Sequence, residues 1–311
     1  MNHSDRIYVA GHRGLVGSAL VRRLRSEGFD NLILRTRADL DLMSSRATDA
    51  FFTAERPDYV FLAAARVGGI KANSTWPVEF LQDNLLIQIN VLRAAFRADV
   101  ARLLFLGSSC VYPKHGPQPL REEHLLTGSL EPTNEAYAIA KIAGIKLCQA
   151  YATQHGVRFS TVMPSNVYGP GDNFDPETSH VVPALIRKFC DAVDAGARTV
   201  TIWGTGAPRR EFLHVDDLAD ACVFLMTRDE ESAVTNVGTG EDVTILELAH
   251  LIANLVGYSG SIAVDPSMPD GTPRKILDVS RLSGAGWQAR ISLRDGLRDT
   301  IEWYRQNRET S

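Results

Sequence analysis

Short, nearly all-apolar runs alternate along the first half of the chain with longer stretches whose apolar positions recur at helical spacing. The apolar runs occupy residues 7–10, 32–34, 59–65, 103–106 and 159–163. Strands covered on both faces read this way. Between them, residues 15–27, 46–55, 78–99 and 135–154 carry the 3.6-residue pattern of amphipathic helices. This β-α-β-α order predicts an α/β fold, a doubly wound parallel sheet of Rossmann type with right-handed crossovers. Beyond residue 163 the regularity breaks. Stretches rich in Pro, Gly and Asp at 164–176, 204–208 and 265–273 separate helical patterns at 183–193, 215–226, 245–256 and 293–306. The expected organisation is a Rossmann domain over 1–165 and a smaller α/β domain over 166–311. The two are interleaved, with later segments at about 210–255 packing back on the sheet, because 215–226 has the pattern to do so.

Composition narrows the class. Hydrophobic residues make up 44% of the 311 and charged residues 23%, as in soluble globular proteins. Lys and Arg total 33 against 37 Asp and Glu, a net charge of −4, which argues against a nucleic-acid partner. The four cysteines (Cys110, Cys148, Cys190, Cys222) are widely scattered, which predicts neither a disulfide framework nor a zinc site but a reducing compartment. The eight histidines form no metal-ligand grouping, so no metal is expected. The first residues lack a signal peptide's apolar run, and no apolar stretch is long enough to span a bilayer. The expectation is a cytoplasmic protein with no membrane partner.

The first apolar run leads into Gly11-His12-Arg13-Gly14-Leu15-Val16-Gly17 and then a helix. Glycines in such a turn let backbone approach a pyrophosphate, and the helix N-terminus offers free N–H groups to the anion. These seven residues are therefore assigned to a dinucleotide. About 20 residues further on, an NAD site presents a carboxylate to the ribose 2′-hydroxyl. Here the chain reads Arg35-Thr36-Arg37. The two guanidiniums of Arg35 and Arg37, joined by Arg13, suit a 2′-phosphate, so the cofactor expected is NADP(H). Asp41 and Leu42 border the adenine in this reading; Asp39 and Asp41 serve equally well as turn caps.

Tyr137 and Lys141 share a helix face at i, i+4. A free phenol has a pKa of about 10, and a nearby ammonium favours its anion, making Tyr137 an acid/base near neutral pH. Leu106-Gly107-Ser108-Ser109 ends the fourth apolar run, where ligands sit in this architecture. Ser108 there can hold the oxygen that Tyr137 protonates.

The glycine loop, the strand-end serine and Tyr-x-x-x-Lys resemble the extended short-chain dehydrogenase/reductase family. The segments AAARVGGIKAN, LGSSCVYP, EPTNEAYAIAKIAGIKL, VYGPGDNF, SHVVP and 203–217 look like its GDP-4-keto-6-deoxy-D-mannose 3,5-epimerase-4-reductases over nearly the whole chain. The resemblance implies NADPH-dependent formation of GDP-L-fucose: inversion at C3 and C5, then reduction of the C4 ketone. It implies Cys110 as base and His180 as acid, roles a cysteine on a buried strand end and a histidine beside two valines do not announce by themselves. It places Lys188, Trp203, Arg210 and Asp270 at the nucleotide sugar. Lys188 and Arg210 suit its pyrophosphate and Trp203 a stacking contact, while Asp270 serves either a base or the turn it begins. Pro164, Ser165, Asn166, Val167 and His180 fall beside the cofactor. The resemblance also implies a homodimer formed through the helices at 78–99 and 135–154. Asn84 and Asn90 on the first of these read as surface or interface groups. The rival readings are an NAD(P)-dependent nucleotide-sugar 4-epimerase, 4-reductase or 4,6-dehydratase and a non-catalytic dinucleotide sensor. The dehydratases place acids near the serine, and residues 106–113 contain none. A sensor has no use for Tyr137 and Lys141.

Overall fold

A computed structural model describes residues 1–228, 234–268 and 270–308. The first half runs β1 (Ile7–Ala10), α1 (Leu15–Ser26), β2 (Leu32–Ile33), α2 (Ser45–Glu55), β3 (Tyr59–Leu62), α3 (Ile70–Thr75), α4 (Pro77–Arg97), β4 (Arg102–Leu106), α5 (Glu135–His155) and β5 (Arg158–Pro164). The second half follows as β6 (Asn166–Tyr168), α6 (Val181–Asp194), β7 (Thr199–Trp203), β8 (Arg209–Arg210), β9 (Phe212–His214), α7 (Val215–Thr227) and β10 (Val234–Val237). It closes with β11 (Val243–Thr244), α8 (Ile245–Val256), β12 (Ser261–Asp265), β13 (Arg274–Lys275), α9 (Ser280–Gly284) and α10 (Leu293–Asn307).

Six strands form one sheet in the order β10-β5-β4-β3-β1-β2, every pairing parallel. Alternate side chains divide between its two faces. Tyr8, Val60, Leu103 and Phe159 pack under Phe52 of α2, Leu92 of α4 and Ile145 of α5. Ile7, Val9, Phe61, Leu104 and Val162 pack under Leu20 and Leu24 of α1 and Leu218 and Cys222 of α7. With both faces covered, near-continuous apolar runs are what the strands require. A separate core joins Ile186 and Phe189 of α6, Leu248 and Ile252 of α8, Leu297 and Ile301 of α10, and Val200 and Ile202 of β7. The later chain is thus divided: α7 and β10 complete the layers of the large sheet, while α8 belongs to the second core.

Local chemistry sets the helix ends. Thr244 caps α8, accepting from the Glu247 backbone N–H at 3.0 Å while the Glu247 carboxylate takes the Thr244 N–H at 2.7 Å. α5 and α8 stop at left-handed Gly156 and Gly257.

Asn84 and Asn90 depart from the surface or interface role read in the sequence: both are buried against their own chain. Asn84 accepts the Arg66 N–H at 2.9 Å and donates to the carbonyls of Arg66 and Phe80 at 3.0 and 2.7 Å. Asn90 donates to the carbonyls of Leu42 and Met43 at 2.9 and 3.0 Å. These segments follow β2 and β3, have left the sheet, and need partners for their buried backbone groups.

Glu211, between β8 and β9, has no exposed surface. Its carboxylate accepts N–H groups from Thr239, Gly240 and Leu277 at 2.6, 2.8 and 2.8 Å. Its carbonyl accepts the Asn166 side-chain amide at 2.7 Å, and its own N–H reaches the Lys275 carbonyl at 3.3 Å. Four segments therefore meet on one residue. Burial pushes its carboxyl up to about 6, against the pull of those backbone donors. Glu211→Ala strands three backbone donors in the interior and is expected to cost about 3 kcal/mol in urea unfolding; a variant as stable as the parent refutes the clamp.

Candidate active site

Gly11 leaves β1 with φ +83°, and a Cβ there would stand 2.8 Å from the Ala64 backbone. A Cβ on Gly17 would stand 2.1 Å from the Gly11 carbonyl oxygen, so α1 can lie against the turn only with glycine there. Gly14 answers to neither demand: it is exposed, and the nearest atom to a Cβ is the Gly11 oxygen at an ordinary 3.5 Å. α1 begins at the next residue, with no acidic side chain in its first turn and no side-chain cap. A bare helix N-terminus behind an open glycine fits a dinucleotide pyrophosphate. Arg13 and Arg37 are both exposed, at the ends of β1 and β2. Arg35 is engaged by Glu55 at 2.6 Å. Asp41 caps its own turn, accepting the Met43 N–H at 3.0 Å, and Leu42 is buried beneath it. Burial, followed by the Arg13 charge, lowers the pKa of His12.

At the end of β4, Leu106 is followed by Gly107, whose N–H donates to the Val162 carbonyl at 2.8 Å. The chain then makes a single 3-10 turn over Ser109–Val111, capped by Ser108, whose Oγ accepts the Cys110 N–H at 3.3 Å. Lys141 on α5 donates to the Leu106 carbonyl at 2.7 Å. Its ammonium lies 4.7 Å from the Phe105 ring centroid and 5.8 Å from that of Tyr137. Tyr137 meets Phe80 of α4 edge-on at 6.3 Å. One wall of a cleft thus carries Ser108, Cys110, Tyr137 and Lys141.

His180 is the N-cap residue of α6, and Lys275 comes from β13. His180 is exposed to solvent and Lys275 and Tyr137 are half-buried, yet protein packs densely around all three, as along the side of a cleft. Burial holds Lys141 down to about 8 and pushes the Tyr137 phenol up, opposite to the direction the Lys141 ammonium was expected to impose, and negative charge on Cys110 adds to the rise. The Cys110 thiol is also pushed up by burial and drawn back first by Lys275, then by Ser108 and Lys141. Burial and the Lys275 charge lower His180. Burial lowers Lys275 itself. The Lys275 charge thus acts on both the Cys110 thiol and the His180 imidazole, and the sequence offered no signal for it. A two-residue strand has no periodicity to read.

The other predicted contacts are held by the protein's own groups. Pro164 ends β5, the Ser165 N–H donates to Val237 at 3.0 Å, and Asn166 and Val167 lie in β6. Lys188 donates to the Thr201 carbonyl at 2.8 Å, and Trp203 at the end of β7 is 53% exposed. Arg210 donates to the Arg209 carbonyl at 2.9 Å and feels the charges of Glu131 and Asp270, which partly offset the lowering by burial. Asp270 accepts from the Thr205 N–H and hydroxyl at 2.7 and 2.9 Å. Glu131, which sequence reasoning passed over, takes the Lys114 ammonium at 2.9 Å. Among the described residues no group of three or more His, Cys, Asp or Glu side chains could hold a metal ion.

Residues 7–238 match the model of the NAD dependent epimerase/dehydratase family. The chain belongs to that family. It is 58% identical over 304 residues to GDP-L-fucose synthase 1 of Arabidopsis thaliana, spanning 98% of this chain and 94% of that one. It is 53% identical over 314 residues to the GDP-L-fucose synthase of Escherichia coli K12, covering 98% of each. A solved GDP-mannoheptose C4 reductase from Campylobacter jejuni with NADP bound superposes with a TM-score of 0.89 at 39% identity, over 98% of this chain and 99% of that one. Within this family architecture, the cleft holds a phenol and a thiol beside two ammonium groups, an arrangement suited to moving protons on a carbonyl compound.

Iodoacetamide alkylation followed by mass spectrometry tests the electrostatics of the cleft. Removing the cation in Lys275→Met raises the Cys110 thiol further, so its alkylation at pH 8 is expected to slow about tenfold. An unchanged rate would separate Lys275 from Cys110.

Proposed function

We propose that the chain converts GDP-4-keto-6-deoxy-D-mannose to GDP-L-fucose by epimerisation at C3 and C5 and NADPH-dependent reduction at C4. The observation that carries this reading is the gathering of Cys110, Tyr137 and Lys141 at one strand end, electrostatically linked through Lys275 to His180. It occurs in a chain more than half identical, over nearly its full length, to GDP-L-fucose synthases from a plant and a bacterium.

In this reading Gly11 to Gly17 hold the dinucleotide pyrophosphate at the start of α1, and Arg13 and Arg37 take the 2′-phosphate. Asp41 and Leu42 border the adenine; Leu106, Gly107 and Ser109 border the other half with Pro164, Ser165, Asn166 and Val167. NADPH supplies hydride to C4 when bound. The C4 ketone acidifies the protons on C3 and C5. Cys110 as thiolate removes each proton, giving an enolate. His180 returns a proton from the opposite face, which inverts the centre. Ser108 holds the ketone oxygen, and Tyr137 gives it a proton as reduction completes, with the Lys141 ammonium stabilising the phenolate that remains. Lys188 and Arg210 meet the substrate pyrophosphate, with Trp203 and Asp270 at the nucleotide end. The corresponding division of the chain is an NADP-binding domain over 1–165, joined by α7 and β10 from the 210–255 stretch, and a substrate domain over the rest of 166–311, α8 included. Four free, buried thiols support a cytoplasmic, reducing setting. No described helix is long and apolar enough to cross a membrane.

Incubation with this substrate and NADPH is expected to consume NADPH and yield GDP-L-fucose by NMR. No consumption, or C4 reduction without inversion, refutes the assignment. Cys110→Ser is expected to abolish incorporation of solvent deuterium at C3 and C5 while NADPH still binds; full incorporation moves the base elsewhere.

We also propose a homodimer. Val78, Leu86 and Ile89 recur along one face of α4 and are exposed, as is Ile139 on neighbouring α5. An apolar stripe across two packed helices supports pairing with a second copy. Ile89→Glu is expected to shift the mass in light scattering from dimer to monomer. A monomeric parent protein refutes the dimer.

A further inference from the structure

The turn of Gly68 and Gly69 touches both proton-transferring sides of the cleft. A Cβ on Gly68 would meet the tip of the Phe80 ring at 3.1 Å, and Phe80 is the ring that Tyr137 packs against. On the other side, the Gly69 N–H donates to the Thr178 carbonyl at 2.9 Å. A Cβ on Gly69 would stand 2.5 Å from the Ser179 carbonyl oxygen, closer than real side chains come to a backbone atom. Ser179 is the residue immediately before His180. Two further contacts support this approach. Lys71 pairs with Glu177 across the same seam. Asn73 is buried and donates to the carbonyls of Gly68 and Gly69 at 2.7 and 3.0 Å, pinning the turn from behind.

The facing segment is stiffened within itself. Asp175 accepts N–H groups from Glu177 and Thr178 at 2.9 and 3.0 Å, and the Asn173 side chain bonds the Thr178 hydroxyl at 2.9 Å. A displacement of Ser179 therefore cannot be absorbed by a slack loop and passes to His180 and the first turn of α6, where the Ala184 N–H bonds the His180 carbonyl at 3.0 Å. Gly69 φ is −67°, an ordinary value, so its backbone conformation does not call for glycine. The close approach does.

We propose that Gly69 is a positioning residue for epimerisation: the absence of a side chain there lets the chain before His180 seat close to the wall that carries Tyr137. The proposal rests on the reading of His180 as the epimerisation acid. Hydride delivery and protonation by Tyr137 rest on Ser108, Tyr137 and Lys141 at the end of β4, none of which a Cβ on Gly69 would meet, and are expected to be disturbed less than His180.

Gly69→Ala is the test, measured for solvent-deuterium incorporation at C3 and C5, for NADPH affinity and for the isotope effect with C4-deuterated NADPH. Incorporation is expected to slow on the order of ten- to a hundredfold, as misplacing a proton donor by up to about 1 Å can do, while NADPH affinity, which rests mainly on the glycine loop and Arg37, falls much less. The isotope effect is expected to fall toward unity, because inversion becomes slower than hydride transfer. A general loss of structure weakens NADPH binding as well and does not selectively suppress that isotope effect. Asn73→Ala frees the turn without adding bulk and is expected to give the same split with a smaller amplitude; it decides the matter if Gly69→Ala fails to fold. Parent-like incorporation in the folded variants overturns the proposal. His180→Asn, run in parallel, separates the two readings. Full incorporation in that variant removes His180 from the chemistry, whereas loss there with parent-like Gly69→Ala sinks the seat alone.

Discussion

Six parallel strands send all their C-terminal ends to one edge of the sheet, and the chain must leave the sheet six times along that edge. Each departure strips backbone groups of their sheet partners in a region walled by helices. The protein meets that requirement with turns, caps and buried amides. Gly11 leaves β1, Leu34 leaves β2, Ala63 leaves β3, Gly107 leaves β4, Ser165 leaves β5 and Gly238 leaves β10. The cleft is the consequence of this crowding, and polar groups gather there because irregular backbone must be satisfied.

The second consequence is electrostatic. Lys141 and Lys275 are both held where burial works against their charge, and Arg210 shares the effect. Cations kept in such a place favour anions beside them. A thiolate, an enolate and a pyrophosphate all belong to that class, and the proposed reaction needs each. Glu131 and Glu211 moderate this field from the protein side. The Lys275 charge acts on both Cys110 and His180, so in the proposed reaction the short strand β13 carries more weight than its two residues suggest.

Architecture and chemistry are also coupled through Glu211. It fastens β6, the turn after β10 and the segment after β13 to the strand pair that presents Arg210. A carboxylate between two short strands makes this junction because neither strand is long enough to hold itself by a ladder. The same residue that stabilises the second half of the fold thereby sets the stage on which Arg210, Asn166 and Lys275 sit.

Much of the first half was legible in the chain itself. Runs such as 7–10 and 103–106 are apolar on both faces because helices cover both faces, and glycine spacing marked the turn into α1. Tyr137 and Lys141 were readable because helical spacing alone puts them on one face. Lys275, Glu131 and the Glu211 junction were not, because they act through short strands and loops whose neighbours lie tens to hundreds of residues away. Asn84 and Asn90 were misread for the same reason: whether a helical amide faces water or a strand end depends on what packs against it. Sequence determined which segments are strands and helices and which residue types the turns require, since periodicity and backbone preference are local. Tertiary structure alone decided how the two walls of the cleft meet, down to a glycine against the carbonyl before His180, since only packing brings distant segments within a bond's length.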